Sequence, residues 1–167
     1  MASGFLTLIS FFTRIPVGRK IEFNEENFIK SLNLYTLVGV VIGFILCIVY
    51  VVFNNIYISF IKGLILTIMY IIITGGIHMD GAADTADGIF SGRTGERIFE
   101  IMSDSHIGTF GVITLMLIIL SQFVLFSYLS IEFVFMMPVV GRASTIAACW
   151  NKKYAKKTKG MGTAFIE

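Results

Sequence analysis

Charge is scarce in this chain. Asp, Glu, Lys and Arg together make up 14% of its 167 residues against 56% hydrophobic residues, and the mean hydropathy is +0.83. That balance cannot clothe a soluble domain in polar surface, so the chain is read as an integral membrane protein with no nucleic-acid partner. Cysteine is nearly absent: Cys47 and Cys149 lie in separate apolar runs without CxxC spacing. This removes a thiolate zinc site and a disulfide framework, and leaves two buried free thiols. No internal repeat, low-complexity tract or second soluble domain is found. The expected fold is all-α, a single polytopic helical membrane domain over residues 1–167.

Four apolar runs reach the length a bilayer requires: 34–53, 56–77, 109–129 and 133–150. The first is free of charge and, at about 1.5 Å per residue, extends roughly 30 Å, the thickness of a hydrocarbon core. Lys62 interrupts the second near its start, where its side chain can snorkel to the interface. Arg142 is the deep charge of the fourth run, in which Pro138 is expected to introduce a kink. Lys and Arg are missing from the loops around Asn54-Asn55 and Ser130 to Glu132. They gather instead before the first span (Arg14, Arg19, Lys20, Lys30), between the second and third (Arg93, Arg97), and after the fourth (Lys152, Lys153, Lys156, Lys157, Lys159). By the positive-inside rule both termini and the 78–108 segment face the cytoplasm, in the cytoplasmic (inner) membrane of a bacterium or archaeon. Residues 1–33 then form a cytoplasmic N-terminus whose apolar stretch Phe5 to Ile15 lies along the interface as a helix, since it lacks the basic flank and small-residue cleavage site of a signal peptide. Residues 151–167 form a basic tail, explained equally by anionic lipid and by nucleotide binding.

Acid is concentrated where the second apolar run ends. The stretch GGIHMDGAADTADG carries Asp80, Asp84 and Asp87. If helical, spacings of four and three place all three carboxylates on one face, where their repulsion is relieved by a cation. Crowded oxygen ligands suit Mg²⁺ or Mn²⁺, and Mg²⁺ commonly meets protein together with substrate phosphates. The residues thus point to a membrane enzyme acting on a phosphorylated substrate. Gly75-Gly76 allows the second span to end or bend, a short helix follows from Asp80 to Phe90, and SGRTG at 91–95 is turn-like. Thr94 is expected to cap a next helix on which Glu96, Glu100 and Asp104 recur every four residues, so that two acidic faces converge. For Glu96 a solvated face paired with Arg97 is the preferred reading.

These blocks resemble the cobalamin synthases, or adenosylcobinamide-GDP ribazoletransferases. The resemblance is carried by FFTRIPV at 11–17, GGIHMDGAADTADGIFSG at 75–92, EIMSDSHIGTFGV at 100–112, Gly141-Arg142, and YAKKTKGMGTAF at 154–165, in the family's order across almost the whole chain. Members of the family have further membrane spans after the glycine-rich GMG segment, so a truncated version is expected. The resemblance implies a late step of cobalamin assembly: adenosylcobinamide-GDP joined to α-ribazole or its 5′-phosphate, with GMP released and Mg²⁺ required. Asp84-x-x-Asp87-Gly88 and Glu100-x-x-x-Asp104 also resemble, with shorter spacing, the aspartate pattern of the CDP-alcohol phosphotransferases. On that logic Asp84, Asp87 and Asp104 are the first metal ligands, Asp80 and Glu100 the next, and Asp104 is alternatively the base.

His78 is read evenly as a metal or phosphate ligand and as a hydrogen-bonded interface residue. His106 is read as structural or as a support for the neighbouring site residues, Arg93 as a bidentate phosphate clamp, and Arg142 as facing an acid or a substrate phosphate inside the bundle. An intramembrane prenyltransferase, fitting Asp80-x-x-x-Asp84, and a cation transporter are the competing functions. The expected partners are those two substrates and the lipid bilayer, and a homo-oligomer is compatible with the sequence.

Overall fold

The computed structural model describes residues 2–17, 25–56, 58–155 and 161–166. Arg19, Lys20, Lys156, Lys157 and Lys159, on which the charge asymmetry partly rests, lie outside the described residues. Among those described there is no strand; α-helices and short 3-10 turns make the whole fold. They pack as two compact units, Met1–Tyr57 with Leu129–Glu167, and Ile58–Tyr128.

The first unit contains α1 (Ala2–Phe12), α2 (Glu25–Ser31), α3 (Tyr35–Val52) and α8 (Ile131–Cys149). Small residues decide how α3 meets α8. Gly39 and Gly43, one turn apart, are both buried on α3. A Cβ at Gly39 would stand 2.5 Å from the Pro138 carbonyl oxygen and 2.8 Å from Val139 Cα, and one at Gly43 would stand 2.6 Å from the Phe135 carbonyl oxygen. The two backbones therefore touch where side chains are missing, the packing that replaces the hydrophobic effect between helices surrounded by lipid. On α8 the buried residues Val134, Pro138 and Arg142 form one stripe at four-residue spacing, and the helix is a single element through Pro138. The outer faces stay apolar and open: Phe44, Ile48, Val51 and Val52 are all more than half exposed. In water that surface would aggregate; in a bilayer it is the ordinary lipid-facing side. At the N-terminal end Phe12 packs against Phe28, Tyr35 and Phe165, tying α1, α2, α3 and the 3-10 turn Met161–Phe165 together.

The second unit contains α4 (Ser59–Thr74), α5 (Ile77–Phe90), α6 (Glu96–Ile101) and α7 (Thr109–Tyr128). Here Gly63 on α4 does what Gly39 does on α3, since a Cβ there would stand 2.8 Å from the Phe123 carbonyl oxygen. Phe60 stacks on Phe123 with ring centroids 5.9 Å apart. Thr67 and Ser127 donate their hydroxyls to carbonyls one turn back, so these polar groups enter the α4–α7 interface with their hydrogen bonds made.

Among the described residues three helical stretches are long and apolar enough to cross a membrane, 26–52, 109–128 and 131–149. The expected second span differs. It is trimmed to α4, and a bend of 88° separates α4 from α5, so this pair is a fourth crossing only if the two helices count as one broken span. The cause is the glycine pair, Gly75 at φ 64° and Gly76 at φ 74°, both in the left-handed region where residues with a Cβ are strained.

Candidate functional site

The site is built in the second unit around α5. Asp80, Asp84 and Asp87 all lie on this helix, as their spacing predicts. Asp80 is exposed, Asp84 half-buried and Asp87 9% exposed. Gly88 lets α5 approach the α6 end closely: a Cβ there would stand 2.6 Å from Met102 Cγ and 3.3 Å from the Ile98 carbonyl oxygen.

Asp87 is held by the backbone of α7. Its Oδ2 accepts the Gly108 N–H at 2.7 Å and its Oδ1 accepts the Gly111 N–H at 2.8 Å. Gly108 is the N-cap of α7, since its carbonyl takes the first helical hydrogen bond, from Val112 at 3.1 Å. A helix start leaves four N–H groups without intrahelical partners, and a capping box normally supplies two of them from side chains at the N-cap and three residues later. Both of those positions are glycine here. One carboxylate from α5 serves both donors, and its charge sits at the positive end of the α7 dipole.

Asp104 does not continue the acidic face of α6. The helix ends at Ile101 because Ser103-Asp104-Ser105 turns the chain, and Asp104 Oδ1 accepts the His106 backbone N–H at 3.1 Å. The His106 Nδ1–H donates to the same oxygen at 2.7 Å. Nor does Thr94 cap α6: the N-cap is Gly95 at φ 65°, with no side-chain cap bond, because the turn needs a left-handed residue there.

Asp87 and Asp104 nonetheless converge. With Ser91, Ile101, His106, Gly108, Thr109 and Phe110 they line one pocket of about 260 Å³. That is below the roughly 300–1,000 Å³ of ligand pockets, so it accommodates part of a large substrate. Asp80, Asp84, His78, Arg93 and Glu100 do not line it. Arg93 sits in the exposed turn after α5, its N–H bonded to Ser91 Oγ at 3.1 Å. Arg142 belongs to the first unit, where it is 2% exposed on the buried stripe of α8 and not on the lipid-facing side. Among the described residues no three His, Cys, Asp or Glu side chains come close enough to hold an ion unaided. Mg²⁺ seldom uses such an all-protein cage; it takes one or two carboxylates and completes its shell with phosphate and water, a mode this donor set fits.

Sequence reasoning missed Gly108 and Gly111 as parts of the site, whereas His106, read as structural or as a support for the neighbouring acid, does bond Asp104. The available signal was a glycine at both capping positions of an apolar helix: with no local cap, the cap must come from elsewhere in the fold.

The His106 contact holds Asp104 below the usual carboxylate range, chiefly through the side-chain hydrogen bond, and the same bond, reinforced by the carboxylate charge, raises His106 above its ordinary 6.5. The sign follows directly. The ion pair is present while Asp104 is ionised and His106 protonated; it is lost as pH rises through the raised histidine value or falls through the lowered aspartate value. Asp104→Asn is therefore expected to return His106 towards 6.5, read from imidazole proton shifts in detergent. An unchanged titration would mean that the two side chains do not pair.

The chain matches the family described as cobalamin-5-phosphate synthase over residues 4–167. It is similar to the adenosylcobinamide-GDP ribazoletransferase of Clostridium acetobutylicum, 36% identical over 97% of this chain and 66% of the relative. The proteins of the same name from Alkaliphilus oremlandii (40%, covering 97% and 66%) and Fusobacterium nucleatum (38%, covering 98% and 63%) are similar too. The chain thus spans just under two thirds of the length of these relatives. No solved structure matches it. With the match running from the first turns of α1 to the final residue and identities of 36–40% along the way, this chain belongs to the cobalamin-5-phosphate synthase family.

Proposed function

We propose that this protein is a membrane transferase that joins adenosylcobinamide-GDP to α-ribazole or α-ribazole 5′-phosphate and releases GMP, with Mg²⁺ required. The observation that carries the proposal is the family match across residues 4–167, which includes every acid of the α5–α7 region. In the reaction the ribose hydroxyl of the ribazole attacks the phosphorus on the cobinamide arm, the bridging pyrophosphate bond breaks, and GMP departs. The hydroxyl proton needs an acceptor. Asp104, held in place by His106 at the pocket wall, is the chain's group for orienting that hydroxyl or taking its proton. Asp84, with Asp80 beside it on α5, would hold Mg²⁺, joined by Asp104 where Asp104 is not itself the base; the ion's charge would neutralise the pyrophosphate. Glu100 on α6 is the next candidate.

The test is GMP release from adenosylcobinamide-GDP in membranes carrying this chain, or a longer form extended to its relatives' length, with and without α-ribazole and Mg²⁺. Release that needs both is expected. Failure of the longer form to release GMP would overturn the reading, and consumption of a polyprenyl diphosphate instead would favour the prenyltransferase.

The orientation belongs to the same proposal: both termini and the 78–108 segment cytoplasmic, in the inner membrane, where nucleotides and Mg²⁺ are available. With Cys47 and Cys149 replaced by serine, a cysteine at exposed Arg93 should be labelled from the cytoplasm, and one at exposed Asn55 from outside. Labelling of position 93 from the outer face would reverse the topology.

A further inference from the structure

Of the acids in the second unit, Asp87 has its surroundings most fully defined, and what surrounds it is backbone. Each carboxylate oxygen takes an α7 N–H, at 2.7 and 2.8 Å, and the side chain is 9% exposed. The fit depends on two missing side chains. A Cβ at Gly108 would stand 2.8 Å from Asp87 Cγ, one at Gly111 3.1 Å from it, and each would press closer still on a carboxylate oxygen. Any residue but glycine at either position expels the carboxylate from its donors. The segment thus secured is the one that carries chemistry, because Asp104 and His106 stand four and two residues before the cap.

We propose, on the basis of the transferase reading above, that Asp87 is a positioning residue. Its carboxylate supplies the cap that α7 lacks, fixes the Asp104–Gly108 loop against α5, and acts on the reaction through that loop. Gly108 and Gly111 are part of the same device. This separates Asp87 from Asp84, one turn away on the same helix, whose role is at the reacting phosphates.

The experiment moves the cap. Asp87→Ala removes it, and Asp87→Ala/Gly108→Asp installs a local N-cap side chain able to reach the Gly111 N–H, in space the lost carboxylate vacates. Hydrogen exchange of the amides at 108–112 and the kcat and KM for GMP release are measured in the full-length protein. Asp87→Ala should speed exchange and lower kcat about 10²-fold, the scale of a misplacement near 1 Å, with KM much less affected. The double variant should recover protection and bring kcat to within about tenfold of wild type. Protection recovered with kcat still at the single variant's level would overturn the proposal, placing the carboxylate in the reaction itself. A second arm does not rely on the transplanted cap: Gly111→Ala expels the carboxylate while keeping the acid, and should lose activity as Asp87→Ala does. Wild-type kcat in Gly111→Ala would also reject the proposal. If the unaltered protein releases no GMP, the transferase reading fails, while unchanged exchange at 108–112 in Asp87→Ala would separately refute the cap.

Discussion

Asp84→Asn is expected to cut GMP release by about 10²-fold or more while the protein still inserts and folds, the loss typical when a metal's coordinating groups are disturbed. The change removes a charge at nearly constant volume from a half-buried position on α5. Asp84 and Asp87 lie three residues apart and so on the same side of the helix. Asp87→Asn would not isolate chemistry in this way, because an amide presents only one acceptor oxygen to two backbone donors and leaves the Gly108 or Gly111 N–H facing an NH₂ group. An unsatisfied buried donor costs about 1–3 kcal/mol, so Asp87→Asn should lose stability as well as activity. The comparison is made by measuring GMP release and thermal unfolding in detergent for both variants. Asp84→Asn activity above about a tenth of wild type at saturating Mg²⁺ would exclude Asp84 as an indispensable ligand.

The largest structural effect is expected at Gly39. Gly39→Leu drives a side chain into the Pro138 carbonyl oxygen and Val139 Cα, 2.5 and 2.8 Å from where its Cβ would stand. These are backbone atoms and cannot swing aside, so α3 and α8 must separate and Gly43 loses its contact with Phe135 too. A cost at or above the upper end of the usual range of about 1–3 kcal/mol for overpacking follows, with more lost if the helices part entirely. The variant should accumulate poorly in membranes and be digested by protease at concentrations the parent resists. Gly141→Ala is the control on the partner helix, since nothing lies within 4 Å of a Cβ built there, and it should accumulate normally. Equal stability of the Gly39→Leu protein would be incompatible with close α3–α8 packing.

Much of this architecture was legible because lipid imposes simple rules. Uncharged runs of bilayer length can hide their backbone polar groups only as helices, so α3, α7 and α8 fall within a few residues of the expected 34–53, 109–129 and 133–150. The Gly75-Gly76 break was readable because two adjacent glycines mark a place where left-handed backbone is cheap. The three-aspartate helix was readable from its four- and three-residue spacing. The Asp104 region was not: a four-residue periodicity through Glu96, Glu100 and Asp104 looked helical, but Ser and Asp hydrogen-bond to nearby backbone and stopped α6 at Ile101. The bond from Asp87 to Gly108 and Gly111 was out of reach for a different reason. It joins residues 21 and 24 positions apart and exists only once α5 lies against α7. Local patterns show that a helix lacks a cap; they do not show which distant side chain provides it.

The shortness of α4 has a consequence for the membrane itself. Its 16 residues extend about 24 Å, some 6 Å less than a typical hydrocarbon core of about 30 Å. A helix with this deficit thins the bilayer around it, at a fraction of a kcal/mol per Å of mismatch. If α4 makes the crossing alone, headgroups and water are thereby drawn in towards the Gly75-Gly76 turn. The helix that leaves this turn at 88° carries Asp80 and Asp84 away from the apolar run, so a crossing made by α4 alone would set both acids beside that wetted layer and not in hydrocarbon.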